Sequence, residues 1–184
     1  MKKCALALTA LILSTTSALA SDFKLTSTDV KADAKIGNHF VFSSFGCTGD
    51  NVSPALTWKN APKGTKSFAV TMYDPDAPTG SGWWHWLAFN IPADTTALPS
   101  GAGAADGAAL PHGTIQSRTD FGAAGYGGPC PPTGDKAHRY IFTVFALKTE
   151  ALPVVDANSP GAMVGYFLNA NTIAKTSLTA KFGR

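Results

Sequence analysis

The sequence predicts an all-β domain with one minor helix near its C-terminus. Between Phe23 and Leu147, short apolar runs alternate with clusters of Gly, Pro, Asn and Asp that interrupt any helical period. The apolar runs are also rich in aromatic and β-branched residues, which strands favour. A helical pattern begins only after Asn158. Most of the chain is therefore expected to form strands and turns.

Four segments are the clearest strands, in chain order HFVFSSF, SFAVTMYD, WHWLAFNI and HRYIFTVFAL, which begin at His39, Ser67, Trp84 and His138. WHWLAFNI and HRYIFTVFAL are apolar on both faces, which is typical of central strands in a covered sheet. A last strand is predicted at TSLTAKF, residues 176–182.

The connections and the helix are predicted from Gly, Pro and Ser. Residues 101–118 are rich in Gly and Ala and indicate a long surface loop, and residues 126–135 form a second loop with three prolines. A cis peptide is predicted before Pro78, in the tight DPDAP turn. For the helix, Ser159 is the expected cap and Pro160 suits the first turn. One helix face then carries Met163, Tyr166, Phe167 and Ala170.

Residues 1–20 have the pattern of a secretory signal peptide, and residues 21–184 are expected to form one domain. The pattern consists of a positive start at Lys2 and Lys3, an apolar stretch, and a small-residue cleavage site that ends at Ala20. No later apolar run is long enough to span a bilayer, so no integral membrane segment is expected. The mature protein is predicted to be soluble and periplasmic or secreted.

Charge and cysteine content narrow the function classes. The formal net charge of +3 falls to +1 when Lys2 and Lys3 leave, so nucleic acid is not an expected partner. Cys47 and Cys130 remain after cleavage, and an exported protein favours a disulfide between them over two buried free thiols. The chain has no CxxC motif, which argues against a thiol oxidoreductase.

Three strands carry an ionisable residue at the end of an inward-facing row. Asp74 ends the row of Phe68, Val70 and Met72; His85 begins the row of Leu87, Phe89 and Ile91; His138 begins the row of Tyr140, Phe142 and Val144. If these strand ends are neighbours, they form one pocket with an acid and two imidazoles in its wall. The alternative is that each is a separately satisfied polar residue at a strand end.

Other polar and aromatic residues near this pocket have two interpretations. Trp83, Trp84 and Trp86 are assigned to packing rather than to a ligand cage. Asp76 either braces the turn or contacts a ligand. Four glycines are expected to free backbone amides for an anion, namely Gly125, Gly127, Gly128 and Gly134. Imidazoles that donate to anion oxygens would make binding fall as the pH rises.

Four motifs in series carry a family resemblance: DPDAP at 74–78, WHWLAFNIP at 84–92, YGGPCPP at 126–132 and HRYIFTVFAL at 138–147. Together they resemble the phosphatidylethanolamine-binding protein family, in particular its exported bacterial, Raf-kinase-inhibitor-like branch. The resemblance implies a Greek-key β-sandwich of two antiparallel sheets, with a C-terminal helix beside a small anion pocket. It also implies a ligand-binding set of Asp74, Asp76, His85, Pro129, His138 and Tyr140, with Arg139 as the family arginine.

The expected function is therefore a binding protein for a small anionic or phosphorylated group, with no cofactor and no enzymatic activity. Ser81 lacks the strand-turn-helix elbow of a serine hydrolase. Two alternatives remain open: a metal-dependent hydrolase that uses Asp74, His85 and His138, and a secreted interaction protein with a vestigial pocket. A protein partner of the kinase or protease type, for which the chain would act as an inhibitor or signalling modulator, and a homodimer are both compatible with these expectations.

Overall fold

The computed structural model describes residues 22–184, so the signal-peptide prediction for residues 1–20 lies outside the described residues. Residues 22–184 form eight strands, one 3-10 helix and one α-helix. In chain order these are β1 (Lys24–Thr26), the 3-10 helix (Asn38–Phe40), β2 (Leu56–Lys59), β3 (Ser67–Asp74), β4 (Trp83–Pro92), β5 (Ala97–Leu98), β6 (Ile115–Gln116), β7 (His138–Leu147), α1 (Gly161–Asn171) and β8 (Thr172–Phe182).

The strands of the described chain form two antiparallel sheets. The smaller has the order β1-β2-β5, and the larger has the order β6-β4-β3-β7-β8. The main core lies between the sheets, where Trp58 of β2 shares a cluster with Phe68, Trp86 and Phe142 of the large sheet. The predicted two-sheet sandwich with a C-terminal helix is confirmed.

The large sheet has a second apolar face, which explains why β4 and β7 are apolar on both sides. Leu87, Phe89 and Phe145 turn away from the main core and pack with Val164 and Leu168 of α1. The strands β3 and β7 have the bounds predicted from SFAVTMYD and HRYIFTVFAL. Strands covered on both faces give the long apolar runs that a sequence shows most clearly.

A β-bulge at His85 changes which face its side chain joins. Met72 pairs with Trp86 and Tyr73 pairs with Trp84, so His85 is the extra residue of β4. Its ring contacts Tyr140 on the main-core face, whereas Leu87 lies in the α1 cluster. The prediction that His85 begins the row of Leu87 and Phe89 is therefore wrong, because the bulge interrupts the two-residue alternation.

The helix α1 packs through two glycines as well as through apolar side chains, and its buried residues are not those of the predicted face. A Cβ on Gly161 would lie 2.4 Å from the Trp84 side chain, so the absence of a side chain lets the helix approach that indole. Tyr166 is 70% exposed, and Val164 and Leu168 are buried instead. Of the predicted face, Met163 and Phe167 are partly buried against the cluster, whereas Tyr166 and Ala170 are exposed. The packed face is centred on other residues, because hydrophobic spacing does not register Gly161 and Gly165, which contact Trp84.

The predicted side-chain cap of the helix is also absent. The N-cap is Pro160, with no side-chain hydrogen bond, and the Ser159 hydroxyl binds Asp156 in the preceding turn. None of the helices within residues 22–184 is long and apolar enough to cross a membrane.

HFVFSSF does not form a strand. Its first part is the 3-10 helix, and the backbone of Val41 and Phe42 hydrogen-bonds to loop residues: Asn51 donates to Val41, and Phe42 donates to Pro129. Phe45 has a positive φ of 56°, which a regular strand excludes. The aromatic residues of this segment serve a loop that packs against residues 121–130, and local alternation cannot distinguish that case from a strand.

The prediction of a cis peptide before Pro78 is wrong, since no peptide bond between residues 22 and 184 is cis. Local hydrogen bonds reverse the chain instead. The Asp76 amide donates to the Asp74 carboxylate at 2.8 Å, and the Thr79 amide donates to the Ala77 carbonyl across Pro78 at 2.8 Å.

Candidate functional site

A cavity of about 220 Å³ lies at the end of the large sheet where β3 ends and β7 begins. Asp74, His85, His138 and Tyr140 contribute most of its polar groups. The rest of the wall is mainly apolar and includes Phe45, Ala77, Pro78, Thr79, Trp83, Phe121, Cys130, Pro131 and Pro132. The volume is below the usual range for drug-sized ligands, so the cavity fits a small group.

Asp74 and His138 form a buried pair that joins β3 to β7. Nδ1 of His138 lies 2.7 Å from Asp74 Oδ2, and only 3% of the Asp74 side chain and 5% of the His138 side chain are exposed. Nε2 of His138 lies 3.3 Å from Asp135 Oδ2. Because a carboxylate only accepts, the imidazole donates to both acids only when both of its nitrogens carry protons.

His85 is held by a backbone carbonyl, not by an acid. Its Nδ1 lies 2.7 Å from the Gly127 carbonyl oxygen, which can only accept, so Nδ1 carries the proton. Burial lowers the pKa of His85 to about 4 despite favourable contributions from Gly127 and Asp74. At neutral pH the ring is therefore uncharged, and Nε2 presents a lone pair.

Two buried donors of the cavity wall have no acceptor in the described chain. The Tyr140 hydroxyl makes no hydrogen bond of good geometry among residues 22–184, although the Asp74 carboxylate lies near it, and the Trp83 indole N–H has no acceptor there either. Burial, together with the negative charge of Asp74, raises the pKa of Tyr140, so its hydroxyl stays protonated. Trp83 was assigned to packing by its sequence, and only its place in the cavity wall shows that its N–H could serve a ligand.

Loop aromatics form the mouth of the cavity. The Phe121 ring lies 5.2 Å from the His85 ring and 5.4 Å from the Trp83 ring, centroid to centroid. Phe45, which is 63% exposed, lies next to Phe121 at the entrance, with the ring centroids 5.8 Å apart. Sequence reasoning missed both phenylalanines, because Phe45 fell in the predicted strand HFVFSSF and Phe121 stands alone in a loop with no periodic pattern.

One side of the cavity wall is made by two loops that are covalently joined. Cys47 and Cys130 form the predicted disulfide, with their Cα atoms 6.0 Å apart. Arg184 adds a second link across the same loops, since it donates to the Pro131 carbonyl at 2.7 Å and to the Gly46 carbonyl at 2.9 Å. The wall formed by Cys130, Pro131 and Pro132 is therefore fixed to the loop that carries Phe45.

Asp76 and Pro129 do not line the cavity. The Asp76 carboxylate binds the Arg139 guanidinium through two hydrogen bonds, of 2.9 and 2.7 Å, and accepts the Arg139 amide at 2.8 Å. These hydrogen bonds lower the pKa of Asp76 to about 2. The Pro129 carbonyl accepts from Phe42, while its neighbours along the chain reach the cavity. A ligand-binding role for Asp76 and Pro129 stays a prediction.

The glycine amides expected to face an anion are engaged elsewhere. The Gly127 amide donates to the His85 carbonyl at 2.8 Å, and the Gly128 amide donates to Asn51 Oδ1 at 2.7 Å. The Gly134 amide donates to the Arg184 carbonyl. The prediction of an amide cradle fails at these three glycines. A side chain on Gly128 would collide with the backbone of Phe40, and one on Gly127 would collide with the Phe121 ring, whereas Gly134 has a positive φ of 91°.

The metal-site alternative is not assembled in the described chain. Asp74, His85 and His138 share one cavity, yet residues 22–184 contain no group of three His, Cys, Asp or Glu side chains placed to hold a metal ion.

The sequence profile described as phosphatidylethanolamine-binding protein matches residues 26–183. The UPF0098 protein YbcL of Escherichia coli K12 is 59% identical over 171 residues, which cover 93% of this chain and 93% of that protein. The UPF0098 protein YbhB of the same organism is 52% identical over 159 residues, 86% of this chain and 99% of that protein.

A solved structure agrees with these sequence matches. The crystal structure of E. coli YbcL, described as a new member of the mammalian PEBP family, has a TM-score of 0.87 and 58% identity, and covers 89% of this chain and 99% of that one. The profile, the relatives and the fold lead to the same assignment. The chain belongs to the phosphatidylethanolamine-binding protein family.

Proposed function

We propose that this protein is an exported binding protein whose cavity takes a small anionic group, such as a phosphate ester or the headgroup of a larger phosphorylated molecule. The observation that carries the proposal is the pair of unpartnered donors in the cavity wall, the Tyr140 hydroxyl and the Trp83 indole N–H. A buried donor without an acceptor costs about 1 to 3 kcal/mol, and an oxyanion would supply acceptors for both.

The apolar part of the wall supports the same proposal. Aromatic and proline side chains surround the polar groups, and hydrogen bonds in such surroundings are stronger than in water. The volume of about 220 Å³ suits a headgroup-sized ligand. The name of the family refers to a phospholipid with a phosphate ester in its headgroup, which fits this chemistry.

We infer binding rather than catalysis from the hydroxyl groups of the cavity wall. Besides Tyr140, the lining residue with a hydroxyl is Thr79, and that hydroxyl donates to the Gly82 carbonyl at 2.6 Å. Neither His85 nor His138 accepts a hydrogen bond from the Thr79 hydroxyl in the described chain. Hydrolysis through a covalent intermediate would need a hydroxyl nucleophile activated by an adjacent base.

Export and a protein partner complete the proposal. The pattern of residues 1–20 and the disulfide between Cys47 and Cys130 both fit an oxidising compartment such as the periplasm or the cell exterior. The exposed Phe45 at the cavity mouth would let a protein partner sense whether the cavity is filled, which is how an inhibitor or signalling modulator could respond to its ligand.

Calorimetric titration with methyl phosphate tests the proposal. Tyr140→Phe removes one hydroxyl and little else, and it should weaken binding by about 1.5 to 3 kcal/mol, or roughly 10- to 150-fold. Tyr166→Phe, on the exposed face of α1, is the matched control and should bind as the wild type does. Equal affinity in the wild type and Tyr140→Phe, or no binding by the wild type, would contradict the proposal.

A further inference from the structure

We propose that the cavity binds its anionic group with one acid proton still attached, and that it rejects an anion of the same shape and charge that lacks this proton. The inference rests on the proposed function and adds the ligand's protonation state to it. It follows from the directions in which the polar groups of the cavity donate and accept.

The polar groups of the wall divide into donors and acceptors. Tyr140 and Trp83 supply unpartnered donors. His85 and Asp74 supply acceptors, since Nε2 of His85 has no partner in the described chain and Asp74 is a carboxylate whose oxygens retain free lone pairs. A ligand that can only accept hydrogen bonds would satisfy Tyr140 and Trp83. Its oxygen lone pairs would, however, face the lone pairs of His85 and Asp74.

The acceptor character of His85 is set by its backbone partner. The Gly127 carbonyl, 2.7 Å from Nδ1, cannot donate, so the proton of the neutral ring stays on Nδ1. The titratable groups around the ring are Asp74 on β3 and His138 and Tyr140 on β7; Asp74 favours protonation of His85 and His138 opposes it. Burial outweighs both, and the pKa of His85 falls to about 4.

The ligand oxygen that faces His85 and Asp74 must therefore bring its own hydrogen. A phosphate monoester can do so near neutral pH, because its second pKa is about 6. Its singly protonated form offers one O–H as a donor and its other oxygens as acceptors. A sulfate monoester has the same tetrahedral shape and the same single charge, but it has no acid proton to donate.

Methyl phosphate and methyl sulfate are thus a matched pair of probes. Titrated against the whole mature chain near pH 6, methyl sulfate should bind at least about tenfold more weakly, since one buried acceptor stays unpaired. At about pH 8, where free methyl phosphate is a dianion, binding should take up about one proton per ligand. Calorimetry in two buffers that differ in ionisation enthalpy counts that proton directly.

Variants of His85 and Tyr140 distinguish the contribution of the acceptor from that of the donors. His85→Gln places an amide that can donate at the ligand, so it should narrow the difference between the two probes. Tyr140→Phe should weaken both probes by a similar factor and preserve their ratio. His112→Gln, at an exposed position, is the control and should change neither quantity. Melting temperatures of all variants identify any that fold poorly, and the wild-type measurements do not depend on them.

The outcomes distinguish this inference from the proposed function. Preference for methyl phosphate together with proton uptake supports the inference. Equal binding of both probes without proton uptake overturns it and leaves the anion site in place. Binding of neither probe overturns the proposed function and the inference with it.

Discussion

Two hydrogen-bonded acid–base pairs lie close together in the sequence where β3 ends and β7 begins, and they differ in burial. Asp74 and His138 are buried, with side chains 3% and 5% exposed. Asp76 and Arg139 stand two residues and one residue further along, with side chains 31% and 53% exposed. We call the first the inner pair and the second the outer pair.

The difference shows how one turn serves two purposes. The outer pair ties the turn after β3 to the backbone and side chain of Arg139 at the start of β7. Inside the same strand ends, Asp74 meets His138 at 2.7 Å. The outer pair therefore positions the strand ends, and the inner pair places an acceptor and an imidazole in the cavity wall.

The largest expected effect is the loss of the inner acid. In Asp74→Asn the amide keeps one acceptor oxygen, whereas the carboxylate accepts from both His138 and the Asp76 amide. Breaking this buried pair by removing the charge of one partner should lower the free energy of unfolding by about 4 kcal/mol. Urea denaturation measures this effect, and Asp76→Asn serves as the matched outer variant. A similar loss of stability in both variants would remove the distinction between the pairs.

The second effect concerns the disulfide-linked cavity wall, which lies beside the inner pair and not beside the outer pair. Cys47→Ser combined with Cys130→Ser should lower the free energy of unfolding by about 3 kcal/mol, because the disulfide spans 83 residues of chain. The affinity for methyl phosphate should fall as well, since Cys130 and its neighbours line the cavity. The double variant is compared with reduced wild-type protein, which should behave alike. Full retention of affinity by the double variant would show that the wall holds its shape without the bridge.

Much of the sheet could be predicted because its signal is local. The β3 and β7 segments are long, apolar on both faces and bounded by turn residues. The local sequence is therefore enough to locate the first and last residue of each strand. The failures have tertiary causes. The bulge at His85 depends on how β4 pairs with β3, and the packed face of α1 depends on Trp84 fitting against Gly161.

The candidate site shows the same division. Asp74, His85, His138 and Tyr140 meet in one cavity because they lie at strand ends, which the sequence locates, although their ligand stays a prediction. The donor expected of His85 could not be assessed from sequence, since the Gly127 carbonyl that fixes the tautomer comes from a distant loop. Phe45 and Phe121 reach the cavity from loops for the same reason.

The cavity and the outer pair should also lose stability in different pH ranges. In the cavity, His85 causes the loss in the higher pH range. Burial lowers the pKa of His85 from 6.5 to about 4, so the unfolded chain binds a proton that the folded chain does not. The contribution is complete above about pH 6.5 and falls by about 3 kcal/mol as the pH drops to about 4. Urea unfolding across this range should show the slope in the wild type and a flatter one in His85→Gln. An unchanged slope in that variant would contradict the assignment, and His112→Gln is the control.

The outer acid should give the smallest effect, in the lower range. Hydrogen bonds from Arg139 lower the pKa of Asp76 from 3.8 to about 2, so its stabilisation is present above about pH 4 and is lost as the pH falls towards 2. Because both side chains are partly exposed, solvent and salt screen the pair, and the slope should be well below that of His85. Asp76→Asn should flatten the pH dependence between about 4 and 2 without altering the range above it. Adding about 1 M salt should flatten the wild-type curve in the same range, and a salt-insensitive slope there would mean that another, buried carboxyl group is responsible.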